Sequence, residues 1–269
     1  MKSSEPIGIF DSGIGGMTVA RAVKDLMPNE QIIYFGDTAH LPYGDKSAAA
    51  IQAYSIKITD VLLQRGCKVI LIACNSASAA AYELVREYTG KKAKVFNVID
   101  PVVDHIRESY QKTSIGLIGT KQTVNSQVYK TKIEKSSENV TLNSLATPLL
   151  VPMIEEGFIH NHISEEIIYQ YLAHEELQKI EALILGCTHY PLIKKEIESY
   201  YKDKVEVIDS SVTVAKALKA YLEYNNLFRK QGQTNGDHFY VSDFTDSFES
   251  TTKLFFKELV HLEKYVLWE

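Results

Sequence analysis

Two stretches of the chain set an uninterrupted apolar run directly against a cysteine and a polar cluster. Residues 69–73 lead into Cys74-Asn75-Ser76, and residues 182–186 lead into Cys187-Thr188-His189. Val/Ile/Leu runs without polar alternation mark strands buried on both faces, as in parallel sheets. Comparable runs predict strands at 7–10, 31–36, 94–99, 114–120, 149–152, 205–209 and 239–243. Helical periodicity fills the intervals at 17–26, from 47 to about 65 with Ser47 as cap, and at 76–89, 102–110, 212–228 and 246 to about 260. Residues 231–237 read as a polar loop. Strands alternating with helices in this way predict an α/β fold with parallel sheets.

The pattern occurs twice. Residues 114–120 echo the opening Ile-Gly-Ile-Phe-Asp-Ser, the two cysteine strands match each other, and 205–210 echoes 96–101. From Asp11 to Cys74 is 63 positions and from Gly119 to Cys187 is 68; from Cys74 to Asp100 is 26 and from Cys187 to Asp209 is 22. Echoes in the same order at near-equal spacing indicate an internal duplication. The expected architecture is two similar α/β domains facing each other across a cleft, 1–99 plus 210–269 and 100–209, with the tail packed back on the first. Ligands of open α/β sheets bind beyond the carboxyl ends of the strands, which is where both cysteines stand.

Length and charge narrow the partner. At 269 residues, 45% hydrophobic and net charge −5, the chain has ample core and no Lys/Arg cluster of the kind nucleic acid needs. A small molecule is the expected ligand. No apolar run reaches membrane-spanning length and the first ten residues hold no cleavable apolar segment, so a cytoplasmic location is expected. Cys67, Cys74 and Cys187 have no C-x-x-C spacing, which argues against a disulfide framework and a zinc knuckle. Cys67, with no polar cluster after it, reads as a small buried residue. His160 and His162 are two neighbouring imidazoles in a polar loop, too few for zinc, and no metal is expected.

The glycines at 13, 15 and 16, with Asp37 about 20 residues beyond Thr18, invite comparison with the dinucleotide fingerprint. Thr18 stands where its third glycine belongs, and Asp11 would set a carboxylate beside the pyrophosphate, so a tight strand-to-helix turn is the better reading. Asp11 is then either a helix cap or a functional carboxylate facing the cleft, and Tyr43 either a pocket cover or a surface tyrosine. Each cysteine taken singly reads as a buried structural residue. As a pair in duplicated contexts, they offer one thiol to each face of a carbon acid. One removes a proton while the other delivers one from the opposite side, which inverts a stereocentre with no cofactor. His189 can exchange a proton with Cys187. Asp11 can relay a proton to Cys74, although its charge raises rather than lowers a neighbouring thiol's pKa. Ser12, Asn75, Ser76, Thr120 and Thr188 supply groups to hold a substrate's carboxylate and ammonium. The rivals are a Cys-His hydrolase or amidase using Cys187, which leaves Cys74 without a task, and a ligand-trapping binding module.

These residues resemble the glutamate racemases of the cofactor-independent aspartate/glutamate racemase superfamily over essentially the whole chain. The resemblance is carried by Ile9-Phe10-Asp11-Ser12-Gly13-Ile14-Gly15-Gly16, Tyr34-Phe35-Gly36-Asp37 with Pro42-Tyr43-Gly44, Ala73-Cys74-Asn75-Ser76-Ala77-Ser78 and Leu185-Gly186-Cys187-Thr188-His189-Tyr190-Pro191-Leu192. It implies two domains related by a pseudo-twofold axis, a site between them, and interconversion of L- and D-glutamate for peptidoglycan synthesis. By likeness, Cys74 and Cys187 are the acid/base residues, assisted by Asp11 and His189. Substrate binding falls to Asp11, Ser12, Tyr43, Gly44, Asn75, Ser76, Thr188 and His189, with Thr120 and Glu155 in lesser roles. Ser76 stands where the family commonly has threonine. Aspartate is the rival substrate, one methylene shorter, and a homodimer is an open option for assembly.

Overall fold

In the computed structural model, every residue is described except 138, 233–235, 245 and 269; of 246–248 and 250 only the backbone is described. The chain runs β1 (Ile7–Asp11), α1 (Met17–Leu26), β2 (Ile32–Gly36), α2 (Ala48–Gln64), β3 (Val69–Ile72), α3 (Asn75–Thr89), β4 (Lys94–Asn97) and α4 (Asp100–Ser109). It continues through β5 (Ser114–Gly119), α5 (Lys121–Asn125), α6 (Val128–Ser136), β6 (Thr141–Ala146), α7 (Leu150–Glu155), α8 (His162–Leu172), β7 (Ala182–Gly186), α9 (Lys194–Tyr201) and β8 (Glu206–Asp209). It ends with α10 (Ser210–Tyr224), β9 (His238–Val241), α11 (Asp246–Phe256) and β10 (Glu263–Lys264).

The strands form two sheets, ordered β10-β9-β2-β1-β3-β4 and β6-β5-β7-β8, and every pairing is parallel. The order β2-β1-β3-β4 is repeated by β6-β5-β7-β8, so the duplicated sequence is a duplicated topology. The central strands β1, β3 and β7 are buried at every residue, which explains their unbroken apolar runs. Register sets the edge of the site. Phe10 lies opposite Ile72, and Gly119 lies opposite Gly186, so Asp11 and Cys74 leave one sheet together as Thr120 and Cys187 leave the other. One buried cluster takes Ile9 and Leu71 from the first sheet and Ile118 and Leu185 from the second.

A buried ion pair ties three distant segments. Lys68 Nζ donates to Glu30 Oε2 at 2.6 Å, to the Ser3 carbonyl at 2.8 Å and to the Leu227 carbonyl at 2.9 Å. All three ammonium protons are thereby used, as a fully buried lysine requires.

Several expectations are corrected. Residues 149–152 are not a strand but the start of α7: a four-residue apolar run is ambiguous by length, and Leu150 N–H turns back onto the Thr147 carbonyl. The strand lies just before, as β6, an edge strand whose half-exposed Asn143 and Ser144 hide it. Helices α5, α6, α8 and α9 were not expected. The last helix ends at Phe256 rather than near 260, and β10 follows it. The expected loop at 231–237 includes 233–235, outside the described residues. His160 meets Glu196 and His162 opens α8, and among the described residues no cluster of three metal-ligating side chains occurs. No helix among them is long and apolar enough to cross a membrane.

Candidate active site

A cavity of about 100 Å³ opens where the carboxyl ends of the two sheets meet. Both thiols line it. Cys74 follows β3 and caps α3, its Sγ accepting the Ala77 N–H at 3.4 Å while donating to Ser12 Oγ at 3.7 Å. Cys187 follows β7, with its Sγ 3.7 Å from His189 Nδ1. Each is only 6% exposed, so the thiols touch the cavity without facing bulk water.

Burial pushes the Cys74 thiol up to about 12, reinforced by the nearby Asp11 carboxylate and opposed by the Ala77 N–H. His189 is also raised, which in its case favours the charged form. Burial penalises its cation, but the hydrogen bonds to Cys187 and to Glu155 Oε1, at 3.0 Å from Nε2, outweigh that cost and raise its pKa to about 10. A Cys187–His189–Glu155 line thus faces a Cys74–Ser12 pair across the cavity. Asp11 stands behind this surface. It is fully buried, does not line the cavity, receives the Gly13 N–H at 3.0 Å on Oδ2 and leaves Oδ1 without a hydrogen-bond partner. Burial raises its pKa, with the His189 charge opposing.

The polar walls come from both sheets. Ser76 Oγ and Thr120 Oγ1 are 2.8 Å apart, joining the start of α3 to the cap of α5. Tyr129 OH donates to Asn75 Oδ1 at 2.8 Å, leaving the buried Asn75 Nδ2 as an unused donor. Tyr43, Gly44, Thr188 and Glu155 also line the cavity. A Cβ on Gly44 would come within 2.8 Å of Thr120 Cβ, and one on Gly15 would collide with the His189 ring. Both glycines therefore permit close approach between halves. At the mouth, Asp45 and Lys121 pair across the cleft at 3.2 Å, each more than half exposed.

The structure brings every expected site residue to this region, Asp11 alone standing back from the cavity surface. Sequence reasoning missed Lys121, Thr147, Pro148, Val151 and Pro152, which also line the cavity. Most of these follow β6. Recognising that strand would have placed 147–152 at the same carboxyl edge as both cysteines.

This arrangement can hold a molecule of amino-acid size between two thiols, with carboxylate-binding donors at the start of α3. The comparisons agree. The Asp/Glu/Hydantoin racemase family pattern matches residues 17–218. A protein of Chlorobaculum parvum named glutamate racemase is 38% identical over 255 residues, 95% of this chain and 93% of that one. The crystal structure of glutamate racemase from Francisella tularensis subsp. tularensis SCHU S4 in complex with D-glutamate has a TM-score of 0.91 at 39% identity, covering 98% of each chain. That from Thermus thermophilus in complex with beta-chloro-D-alanine has a TM-score of 0.87 at 33% identity, again over 98% of each chain. A matched fold, a matched family pattern and paired thiols at the duplicated strand ends together place this chain in the Asp/Glu/Hydantoin racemase family.

Proposed function

We propose that the protein is a glutamate racemase working by two-thiol proton transfer at Cα, without a cofactor. The observation that carries this is the convergence of Cys74 and Cys187, from equivalent strands of two like sheets, on one amino-acid-sized cavity. Relatives at 38–39% identity over nearly the full chain bear the name glutamate racemase, which selects the substrate.

With its pKa pushed up to about 12, Cys74 holds its proton at neutral pH and presents a donor to one face of Cα. In that direction Cys187 takes the Cα proton from the other face, and the S–H bond of Cys74 breaks as the new Cα–H bond forms. The product is the mirror image, no atom is gained or lost, and the two cysteines have exchanged protonation states. Turnover in the opposite direction, or proton exchange through His189 and Asp11, resets them. The His189 cation and the amino end of α3 favour the negative charge that builds on the substrate during transfer. Asn75, Ser76, Thr120 and Thr188 hold its carboxylates, with Ser12, Tyr43, Gly44 and Glu155 completing the enclosure. Asp11, behind Cys74, acts through that thiol. The lobes are taken as 1–99 plus 210–269 and 100–209, the location as cytoplasmic, the product as feeding peptidoglycan synthesis, and a homodimer as the assembly to test.

In deuterium oxide, L-glutamate should give D-glutamate labelled at Cα. Cys74→Ser and Cys187→Ser should each lose about 10²–10⁴-fold in kcat, the span of general acid–base catalysis. Racemisation above half the wild-type rate in either variant would sink the two-base scheme. A side-by-side circular dichroism assay with aspartate tests the shorter substrate. The Cys187–His189–Glu155 line also has the order of a nucleophile, base and orienting carboxylate. That hydrolase reading requires Cys74→Ser to keep full activity on an amide.

A further inference from the structure

The cavity wall carrying Tyr43 is held from behind by Asp37, a fully buried carboxylate just past the end of β2. Tyr43 OH donates to Asp37 Oδ2 at 2.7 Å. Three other groups converge on the same carboxylate: Ser242 Oγ donates to Oδ1 at 2.7 Å, Trp268 Nε1 donates to Oδ1 at 2.9 Å, and His40 Nδ1 lies 3.0 Å from Oδ2. Trp268 comes from the far end of the chain. It is brought there because β10 pairs with β9, and β9 with β2.

The indole is half-buried and three side chains pack on it. His40 meets it edge-on with centroids 4.4 Å apart, Tyr54 edge-on at 5.2 Å, and Lys57 Nζ sits 4.7 Å over the ring. His40 in turn stacks on Tyr54 at 4.1 Å, and Tyr54 packs on Tyr43 at 5.7 Å. Two routes, one of hydrogen bonds and one of rings, therefore run from the C-terminal tail to the tyrosine that lines the cavity. None of Trp268, Asp37, His40 or Tyr54 lines the cavity.

We propose that Trp268 is a positioning residue: it straps the C-terminal tail onto Asp37 and so holds the Tyr43-Gly44 wall in its substrate-binding position. A carboxylate accepting directional bonds fixes the groups that donate to it. A Tyr43 phenol whose acceptor has lost one of its fixed neighbours samples more orientations. Gly44 then loses its close seat against Thr120 in the other half. The strap thus couples the last turn of chain to the cleft, and it deepens the racemase reading on which it rests.

The test separates the two. Trp268→Phe keeps a ring but removes the N–H. Hydrogen exchange in the ligand-free protein should show residues 41–46 exchanging at least tenfold faster in Trp268→Phe than in wild type, with β3 and β7 unchanged. Unchanged exchange at 41–46 overturns the strap, whatever amino acid the enzyme turns over. In kinetics with glutamate, Trp268→Phe should raise KM about fivefold with kcat within twofold. Tyr43→Phe should raise KM similarly, and the double variant should be no worse than Tyr43→Phe alone, because both act along one path. Additive losses place Trp268 outside that path and also overturn the proposal. A wild-type protein that racemises no glutamate would defeat the functional reading while leaving the exchange result to decide the strap.

Discussion

Cys67 lies away from the cavity and Cys74 lines it, yet burial pushes both thiols up to about 12. Between the ordinary thiol value near 9 and about 12 the folded chain holds protons that the unfolded chain releases, so stability falls as pH rises through that window. Each buried thiol contributes a slope of roughly 1 kcal/mol per pH unit there. His189 adds to the same trend. Its cation, favoured in the folded state, stabilises the fold fully below the ordinary imidazole value near 6.5, and that contribution is lost as pH rises to about 10. Thermal unfolding of wild type and Cys67→Ala between pH 8 and 10.5 should show the flatter decline in the variant; parallel curves would mean that Cys67 ionises freely in the native protein. Residue identities at the strand ends were legible from sequence because cysteine, asparagine, threonine and histidine interrupt apolar runs there. The withdrawal of Asp11 behind the cavity was not, since position at a strand end does not say which way a carboxylate points.

The α3 helix starts on Cys74, whose sulfur takes a capping bond usually given to an oxygen. Serine is a better cap than cysteine's weakly accepting sulfur, and alanine is none. Cys74→Ser should therefore keep or slightly raise the melting temperature while activity collapses, and Cys74→Ala should lose about 1 kcal/mol as well as activity. Calorimetry beside the racemisation assay checks both, and a Cys74→Ser protein that melts well below wild type would make its lost activity uninformative. Elements with long one-pattern runs were read correctly from sequence: β1, β3, β5 and β7, with the helices α1 and α3. Those missed, β6 and β10 among the strands and α5, α6, α8 and α9 among the helices, are short or have mixed apolar patterns whose burial depends on neighbours distant in the chain. The α8 start, with its Asn161 and Ser164 capping box, was the one overlooked local signal.

Across the whole molecule the two halves approach at glycines. Gly15, in the turn after β1, leaves no room for a Cβ because the His189 ring from the other half occupies that space. Gly15→Ala should displace His189 from its line with Cys187 and Glu155, and a shift of about 1 Å at a reacting group can cost on the order of 100-fold in rate. Steady-state kinetics should show kcat falling by that order with the fold intact by circular dichroism; unchanged kcat would mean that His189 has slack the structure does not show.

The sequence by itself determined the α/β class, the duplication and the pairing of two cysteines with polar neighbours, because strand burial and strand-end chemistry are written in local residue patterns. Only the tertiary structure decided that both sulfurs line one cavity, that His189 is raised by Cys187 and Glu155 together, and that Trp268 reaches Asp37. Apart from Cys187 beside His189, those are contacts between residues far apart in the chain, set by sheet register and by how the halves meet, and no local pattern encodes them.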